Sequence, residues 1–207
     1  MSRQAVARKL EVSTRDRILD AAVTRFSRYS YEETGLRDIA ADVGVDVSYV
    51  HRCFGSKKQL FTEAVQAAIQ PLHFPAGDTR TLARSVARQF LTREAARARG
   101  NVAPLDIVVR SLASPEASRV VRDFILKDVV SPLAERLGQA EANNATLIAA
   151  FLAGVSILRN VLRVSPLLKA EPDELETLIA DAVEQMMKAG PASQRKDASG
   201  RSRRSLR

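Results

Sequence analysis

The apolar residues of this chain recur every three or four positions, and this feature restricts its fold most. Ile18, Ala22 and Phe26 follow the spacing near the start, and Leu82 and Val86 follow it further along. Such spacing places side chains on one face of an α-helix, whereas a half-buried strand needs strict alternation. The sequence contains no alternating stretch, and Ala, Leu, Val and Arg dominate it. We therefore predict an all-α fold.

Two short predicted helices are separated by three residues, the first of which is a glycine. The pattern predicts helices over Leu36–Val43 and Val47–Phe54, and Gly44 ends the first because glycine adopts a left-handed conformation without steric penalty. A longer helix over Thr14–Tyr29 precedes them, capped by Ser13 or Thr14, and Ser56 caps another that follows. Two short helices joined by a tight turn and braced on both sides predict a helix-turn-helix domain over residues 14–60.

The remainder of the chain predicts longer helices over residues 61–190. Their starts are marked by Asp78 or Thr79, Pro104, Ser114-Pro115, Asn143 or Asn144, and Glu171-Pro172. Pro132 is expected to kink or break the helix that it interrupts. Residues 1–13 are predicted to be a flexible basic arm, and residues 191–207, after Gly190-Pro191, a disordered basic tail.

Composition predicts a globular protein in the cytoplasm. The chain has 207 residues, of which 45% are hydrophobic and 27% charged, and one cysteine, Cys53. The first twelve residues lack the apolar segment of a signal peptide. The most hydrophobic run, residues 145–162, is interrupted by Ser156, Arg159 and Asn160, so we expect no membrane span.

The positive charge is concentrated at the two ends. Residues 1–60 carry 11 Lys and Arg against 8 Asp and Glu, residues 61–190 carry 15 of each, and residues 191–207 carry 6 against 1. This distribution indicates a polyanionic partner for the ends only. For the tail alone, a solubilising role is the simpler interpretation.

The second short helix has the residue types needed to contact DNA. Val50 and Phe54 are four apart and face inward, which leaves five residues mostly on the open faces: Val47, Ser48, Tyr49, His51 and Arg52. The major groove is wide enough for one helix. Arg52 can read guanine or grip phosphate, Tyr49 and His51 can hydrogen-bond phosphate or a base edge, and Val47 can meet a thymine methyl group.

Two cations flank this helix. Lys57 begins the next helix, where its charge and free backbone N–H groups favour a phosphate, and Arg37 lies in the first turn of the preceding one. Short helical hairpins with surface charges also occur in proteins that never touch DNA. The spacing alone leaves DNA binding and an unrelated helical scaffold both open.

Catalytic and metal sites are not predicted. The sequence has no glycine-rich phosphate loop and no GxSxG or HExxH motif, and His51 and Cys53 point in different directions on their helix. The other histidine, His73, lies in a predicted loop. We expect no enzyme activity, no metal and no cofactor, and leave a redox role for Cys53 open.

Residues 14–61 resemble the DNA-binding domain of the TetR family of bacterial transcription regulators. The elements that match at fixed spacing are Arg17-Ile18-Leu19-Asp20-Ala21-Ala22, Phe26, Tyr31, Thr34, Arg37-Asp38-Ile39-Ala40, Gly44-Val45, Val50, Phe54, Ser56-Lys57 and Leu60-Phe61. The resemblance implies DNA contacts at Arg37, Val47, Ser48, Tyr49, His51, Arg52 and Lys57. Tyr49, His51 and Cys53 depart from the residues usual in the family. Residues 80–190 more loosely resemble its ligand-binding and dimerisation domain.

The last two predicted long helices are candidates for a dimer interface. The helix predicted from Asn143 or Asn144 to Val164 is apolar on more than one face, so one face can cover the core and another a second copy. The resemblance implies a four-helix interface, which we expect to include Phe151, Gly154, Val155, Leu158, Leu162, Leu175, Ile179, Ala182 and Met186. Two recognition helices related by a two-fold axis would read a palindrome with centres about 34–36 Å apart.

The middle helices supply candidates for a mainly apolar ligand pocket. These are Phe90, Val109, Phe124 and Phe151, with Arg93, Asp106, Arg110 and Lys127 as polar anchors. Each apolar residue taken singly fits a plain core equally well. The sequence as a whole predicts a homodimeric repressor that a small molecule releases from double-stranded DNA. The alternative is a regulator of the same fold that responds to no ligand or to a protein partner.

Overall fold

The computed structural model describes residues 13–69, 72–97, 104–138 and 142–189, and every regular element in those ranges is helical. The α-helices are α1 (Thr14–Arg28), α2 (Leu36–Val43), α3 (Val47–Phe54), α4 (Lys57–Ala68), α5 (Thr79–Arg97), α6 (Pro104–Ser111), α7 (Pro115–Phe124), α8 (Ser131–Arg136), α9 (Asn143–Ser156), α10 (Ser165–Lys169) and α11 (Pro172–Lys188). Two π-helical segments, Ile125–Val130 and Ile157–Val161, follow α7 and α9. The all-α prediction is confirmed.

Several predicted features lie outside the described residues. They are Gly190-Pro191 as the end of the folded part, the tail over residues 191–207, and all of the N-terminal arm except Ser13.

A serine fixes the start of α1. The Ser13 hydroxyl accepts a hydrogen bond from the Asp16 N–H at 3.1 Å, which satisfies one of the free donors at a helix start. Ile18, Ala22 and Phe26 are buried on one face of the helix. The predicted cap and stripe are confirmed, and the helix ends one residue before the predicted Tyr29.

The chain divides into two compact units. The first comprises Met1–Pro71 with Ala96–Leu126, and the second Leu72–Ala95 with Lys127–Arg207. Helices α6 and α7 therefore pack with α1 and α4, although the sequence grouped them with the C-terminal helices. Periodicity shows that a helix has an apolar face and does not show which helix covers it.

Three aromatic rings form the centre of the first unit. Phe26 of α1 and Phe61 of α4 meet edge to face with centroids 4.9 Å apart, and Tyr31 meets Phe61 in the same way at 5.0 Å. All three side chains are buried. Such aromatic pairs stabilise a core beyond the area that they bury.

Three polar contacts attach α6 and α7 to the segment around the end of α1. The Tyr31 hydroxyl donates to Glu116 Oε2 at 2.9 Å, and the Ser114 hydroxyl donates to Glu32 Oε1 at 2.6 Å. Arg110 Nε donates to the backbone carbonyl of Ser27 at 2.9 Å. These bonds join residues more than 80 positions apart, so they belong to tertiary packing that local patterns do not encode.

Helices α9 and α11 build much of the second unit. Ile148 and Leu152 of α9 and Ile179 and Val183 of α11 are buried. The Arg136 guanidinium at the end of α8 donates to the carbonyls of Pro75 and Gly77, which holds the segment before α5.

Pro132 does not break the chain's helical path. A π-helical segment, Ile125–Val130, leads directly into α8, and Pro132 lies in the first turn of that helix. A proline ring inside an α-helix clashes with the carbonyl four residues earlier. The helix changes from π-helical to α-helical hydrogen bonding just before Pro132, so the break that was one of the two predicted outcomes does not occur.

The helical run that begins with α9 ends earlier than predicted. It was expected to reach Val164, but the π-helical segment ends at Val161 and Arg163 adopts a left-handed conformation with φ of 52°. Glycine or asparagine usually occupies such a position, so the sequence carries no ordinary stop signal there. The short helix α10 that follows was not predicted.

Candidate DNA-binding surface

Glycine produces the turn between α2 and α3. Gly44 has φ of 74° and ψ of 37°, the left-handed region that L-residues with a Cβ disfavour. Its N–H donates to the Ala41 carbonyl at 3.2 Å, and the Val45 N–H donates to Ala40 at 3.0 Å. These two bonds satisfy carbonyls at the end of α2 and fix where α3 begins.

Both ends of α3 are capped. The Asp46 carboxylate accepts from the Ser48 N–H at 2.7 Å, and hydrogen bonds from the Ser48 side chain and backbone hold the pKa of Asp46 below its usual value. At the other end Gly55 has φ of 75°, and its N–H donates to the His51 carbonyl at 2.7 Å. The predicted bounds of α2 and α3 are confirmed.

The inner face of α3 is a small apolar anchor. Val50 and Phe54 are buried, as their spacing predicts, and the Arg15 guanidinium of α1 covers the Phe54 ring at 4.5 Å from its centroid. Since these residues hold one side of an eight-residue helix, the opposite side is turned to solvent.

The predicted DNA-contacting residues of α3 lie on its outer faces. Ser48, His51 and Arg52 are exposed, and Val47 and Tyr49 are half-buried. The Arg52 guanidinium carbon lies 4.9 Å from the centroid of the Tyr49 ring, one helical turn back. This stacked pair holds a charged side chain in a defined place on the exposed surface.

His51 makes a local hydrogen bond that fixes its chemistry. Its Nδ1 lies 3.1 Å from the backbone carbonyl oxygen of Gly55. A carbonyl can only accept, so Nδ1 must carry the proton that is donated. In the neutral ring Nε2 is then the acceptor, and His51 can receive a hydrogen bond from an exocyclic amine of a base.

Lys57, the predicted phosphate contact, lies in the first turn of α4. Ser56 caps that helix by accepting from the Gln59 N–H at 3.1 Å. The Lys57 ammonium lies 4.3 Å from the centroid of the Tyr31 ring. Burial and the hydrogen bond to Glu116 raise the pKa of Tyr31, so the phenol stays protonated and continues to donate to Glu116.

Arginines of α1 brace α2, and the sequence analysis did not identify them. Arg25 forms an ion pair with Asp42, in which Nη2 lies 3.0 Å from Oδ1, and Arg17 donates to the last carbonyl of α2, that of Val43, at 2.9 Å. The hydrogen bond from Arg25 holds the pKa of Asp42 below its usual value. Basic residues spaced along α1 were the available signal, but only tertiary packing identifies their partners. Arg37 is exposed in the first turn of α2.

The predicted pocket residues are distributed over both units. Phe90, Arg93, Lys127 and Phe151 belong to the second unit, and Asp106, Val109, Arg110 and Phe124 to the first. Phe124 is buried and Lys127 is exposed, and Arg110 donates a hydrogen bond to the backbone carbonyl of Ser27. A surface depression of the first unit lies between α1 and α4, near Arg15 and Glu63, and none of the predicted pocket residues lines it.

The predicted interface residues of α9 and α11 divide into two groups. Leu158 and Leu162 are 44% and 62% exposed, and Phe151, Gly154, Val155, Ala182 and Met186 are half-buried. Leu175 and Ile179 are buried within their own protomer, which corrects the prediction that placed them in the interface. They repeat at core spacing on α11, and the outward apolar residue of that helix is Leu178, which is 59% exposed.

Two further features concern other kinds of site. Within the described ranges no group of three or more His, Cys, Asp and Glu side chains could hold a metal ion, and Cys53 is half-buried. One described segment, Asn143–Val161, is long and apolar enough to span a membrane by length and composition alone, and 22% of it is buried. Apolar helices that contact other protein surfaces meet the same criterion.

Comparison with known proteins identifies the family. The family model for bacterial regulatory proteins of the tetR family matches residues 18–64, and the model for the tetracyclin repressor-like C-terminal domain matches residues 81–187. The second match alone spans more than half of the 207 residues. The chain belongs to the TetR family, and it is a DNA-binding transcriptional regulator rather than an enzyme.

Solved structures resemble this chain over most of its length. A TetR-family regulator from Streptomyces coelicolor A3 is 25% identical, with a TM-score of 0.60 over 85% of this chain and 95% of that one. A putative tetR family transcription regulator from Shewanella sp. PV-4 is 19% identical, with a TM-score of 0.60 over 82% of this chain and 97% of its own. A transcriptional regulator from Rhodococcus sp. Rha1 is 21% identical, with a TM-score of 0.58 over 86% and 100%. These last two likenesses concern the fold. None of the curated proteins matches the chain.

Proposed function

We propose that the protein is a homodimeric repressor that binds a palindromic operator through α3 of each protomer and leaves it when a small molecule binds. The uncovered apolar face of α9 carries the dimer part of this proposal. Leu147, Leu158 and Leu162 are 59%, 44% and 62% exposed in the protomer. Contiguous apolar residues left in water mark surfaces that bind another macromolecule.

Gly154 supports a second copy as the partner for this face. It lies within α9, where glycine is about 1 kcal/mol less favourable than alanine. A Cβ built at Gly154 would meet no atom within 4 Å, so packing inside the protomer does not require glycine there. A helix of a second copy can approach closely at Gly154, because no side chain separates the two backbones. The same contact would cover Leu147 and Leu158.

A dimer also suits the DNA-binding surface. One eight-residue α3 reaches few base pairs, whereas two related by a two-fold axis read two half-sites about one turn apart. Lys57 and Arg37 flank α3 and would hold its register by contacting phosphates, while Val47, Ser48, Tyr49, His51 and Arg52 face the bases.

Membrane insertion explains the apolar face of α9 less well. Arg159 and Asn160 lie in the π-helical continuation of the same apolar segment, and charged or amide groups are costly in hydrocarbon. A protein that works on DNA also needs access to it, so we place this regulator in the cytoplasm.

Ligand release requires that the effector bind one arrangement of the dimer more tightly than the other. The predicted pocket residues of the second unit, Phe90, Arg93, Lys127 and Phe151, are the proposed lining. Domain limits stay as predicted in this proposal: residues 14–60 bind DNA, and the helices after them bind the effector and the second copy.

Two measurements test the proposal. Light scattering on the purified chain is expected to give the mass of two protomers, and gel shifts with randomised duplexes at low salt are expected to retain a palindromic fraction. A monomer that binds DNA without half-site symmetry would contradict the dimer.

A screen of metabolites by thermal shift, followed by gel shift, tests release. The expected result is a compound that raises the melting temperature and weakens DNA binding. A compound that raises the melting temperature and leaves DNA affinity unchanged contradicts release. No response to any compound favours the ligand-independent or partner-controlled alternative.

A further inference from the structure

We infer that Tyr49 positions the Arg52 guanidinium to read guanine in the major groove, so that these two residues set the sequence preference of α3. The inference rests on the proposed insertion of α3 into DNA. It decides between the two roles open to Arg52, base reading and phosphate binding, and it gives Tyr49 a role distinct from that of a direct contact.

Arg52 lies at the centre of the outward face of α3. Successive residues of an α-helix are about 100° apart, so Arg52 is about 200° from Val50 around the axis. Val50 and Phe54 are buried against the rest of the first unit, and Arg52 is exposed. When a helix lies in the groove, the side chain opposite its anchored face points at the base edges, and those toward its flanks approach the backbone.

The Tyr49 ring restricts the position of the Arg52 guanidinium. Tyr49 and Arg52 are three residues apart, the spacing at which helical side chains meet, and the guanidinium carbon is 4.9 Å from the ring centroid. Tyr49 is half-buried, so its ring is itself held by the surface beneath it. A flexible arginine would lose several rotatable bonds on binding, and the stacked one has already lost part of that freedom.

The donors of Arg52 bond to no other described residue. Among the described residues, no ion pair and no side-chain hydrogen bond involves Arg52, and its contact with the Tyr49 ring uses none of its N–H groups as a donor to oxygen. The N–H groups lie in the plane of the guanidinium, at its edge. A pair of parallel donors therefore remains for a ligand in the groove.

Guanine is the base whose major-groove edge matches a pair of parallel donors. Its O6 and N7 are adjacent acceptors on the major-groove edge, whereas adenine presents a donor beside N7 and cytosine presents a donor. Phosphate accepts hydrogen bonds from many directions, so a phosphate contact would gain little from a restricted guanidinium position. Lys57 and Arg37, at the starts of α4 and α2, already serve that purpose in the proposed complex.

The test begins with the duplexes that the full-length wild-type chain retains from a randomised pool. The retained sequences are expected to share one guanine at the same place in each half-site. Changing that guanine to adenine is expected to weaken wild-type binding by about 5- to 150-fold. Replacement by 7-deazaguanine, which removes only the N7 acceptor, is expected to give a smaller loss.

Variants then assign the effect to the two residues. Arg52→Ala is expected to bind the guanine and adenine duplexes equally. Tyr49→Leu is expected to reduce the guanine preference by about two- to fivefold, and Tyr49→Phe, which keeps the ring, to preserve it. Arg37→Ala is the control for a phosphate contact and is expected to weaken both duplexes by the same factor. Melting temperatures near that of the wild type establish that each variant is folded.

Three outcomes would overturn the inference. They are a uniform loss on all duplexes with Arg52→Ala, an unchanged guanine preference with Tyr49→Leu, and retained duplexes that share no guanine. If the wild-type chain retained no duplex at low salt, the proposed DNA-binding role of α3 would fail first, and the inference with it. Selective binding that survives Arg52→Ala leaves the proposed function standing and removes only the inference.

Discussion

The outward faces of α3 and α9 are both uncovered in the protomer, and their chemistry is opposite. On α3 the exposed side chains are Ser48, His51 and Arg52, which water hydrates well. On α9 and the π-helical segment that continues it they include Leu147 and Leu158, at 59% and 44% exposure. A polar face is stable in water and can therefore bind and release a partner repeatedly. An apolar face is destabilised by water and favours a permanent one.

This contrast indicates a division of labour between the two units. In the proposed regulator, α9 is covered for the life of the protein, and α3 exchanges water for DNA repeatedly. The first face sets how the two recognition helices are spaced, and the second sets what they read. Changes on the apolar face should therefore alter assembly, and changes on the polar face or its supports should alter recognition or local stability.

Gly154→Leu is expected to have the largest effect of these substitutions, because the leucine side chain occupies the surface that a second copy approaches. No atom lies within 4 Å of a Cβ at this position, so the protomer is expected to fold. The dimer is expected to dissociate, and affinity for a palindromic duplex to fall on the order of 100-fold or more as bivalent binding is lost. Light scattering and gel shifts measure the two effects.

Gly154→Ala is the matched control for this prediction. A methyl group adds little bulk and raises helix propensity by about 1 kcal/mol, so the variant protomer is expected to be slightly more stable. A Gly154→Leu protein that remained dimeric with unchanged DNA affinity would remove Gly154 from the proposed interface.

Neighbouring residues of α11 test which face of that helix is internal. Ile179 is 2% exposed and Leu178 is 59% exposed. Ile179→Ala is expected to lower the free energy of unfolding by about 2–5 kcal/mol, because it removes buried atoms and leaves a cavity. Leu178→Ala is expected to change it by about 0.5 kcal/mol or less in a protein kept monomeric by Gly154→Leu. Urea denaturation measures both, and equal effects would contradict the assignment.

The same contrast explains where sequence analysis succeeded. The bounds of α2 and α3 were predicted from local signals such as Gly44, which lies at the end that it defines, and the structure adds Asp46 and Gly55 as the caps of α3. Packing of Val50 and Phe54 also followed from spacing alone. Composition and motif were therefore sufficient for the fold class and for the outer residues of α3.

The ends and the buried faces of the C-terminal helices could not be predicted from residues close to them in the sequence. Arg163 ends a helical run in a conformation usually given to glycine, and Leu175 and Ile179 share an apolar pattern with Leu178 although only Leu178 faces outward. An apolar stripe indicates that another protein surface covers it. Only the tertiary structure shows whether that surface belongs to the same chain or to a second copy.

The turn before α3 should respond to a single methyl group. Gly44 has φ of 74°, and no neighbouring atom lies within 4 Å of an added Cβ, so Gly44→Ala introduces backbone strain without a clash. The expected loss is about 1–2 kcal/mol of unfolding free energy. Gly154→Ala, on helical backbone, is expected to change stability in the opposite direction. If both substitutions stabilised the protein, the left-handed assignment of Gly44 would be wrong.

The Arg25–Asp42 ion pair, which joins α1 to α2 behind the polar face, should give the smallest effect. Asp42 has a pKa below its ordinary value of 3.8 because Arg25 donates to its carboxylate. A carboxylate with a depressed folded-state pKa contributes stability that is complete above the ordinary value and is lost as pH falls through the lower one. The pair is partly exposed, with Asp42 at 40% and Arg25 at 25%, so its contribution is limited to about 0.2–1 kcal/mol.

Asp42→Asn is therefore expected to destabilise the protein at neutral pH and to approach the wild type in strong acid. Urea denaturation at a series of pH values measures the difference. Asp20→Asn is the control, because Asp20 is exposed on α1 and takes part in no ion pair among the described residues. A constant difference between wild type and Asp42→Asn across the acid range would mean that lost packing, rather than lost charge, accounts for the effect. In that case α2 would be held to α1 by shape, together with the Arg17 bond to Val43 and the ion pair between Arg25 and Asp38.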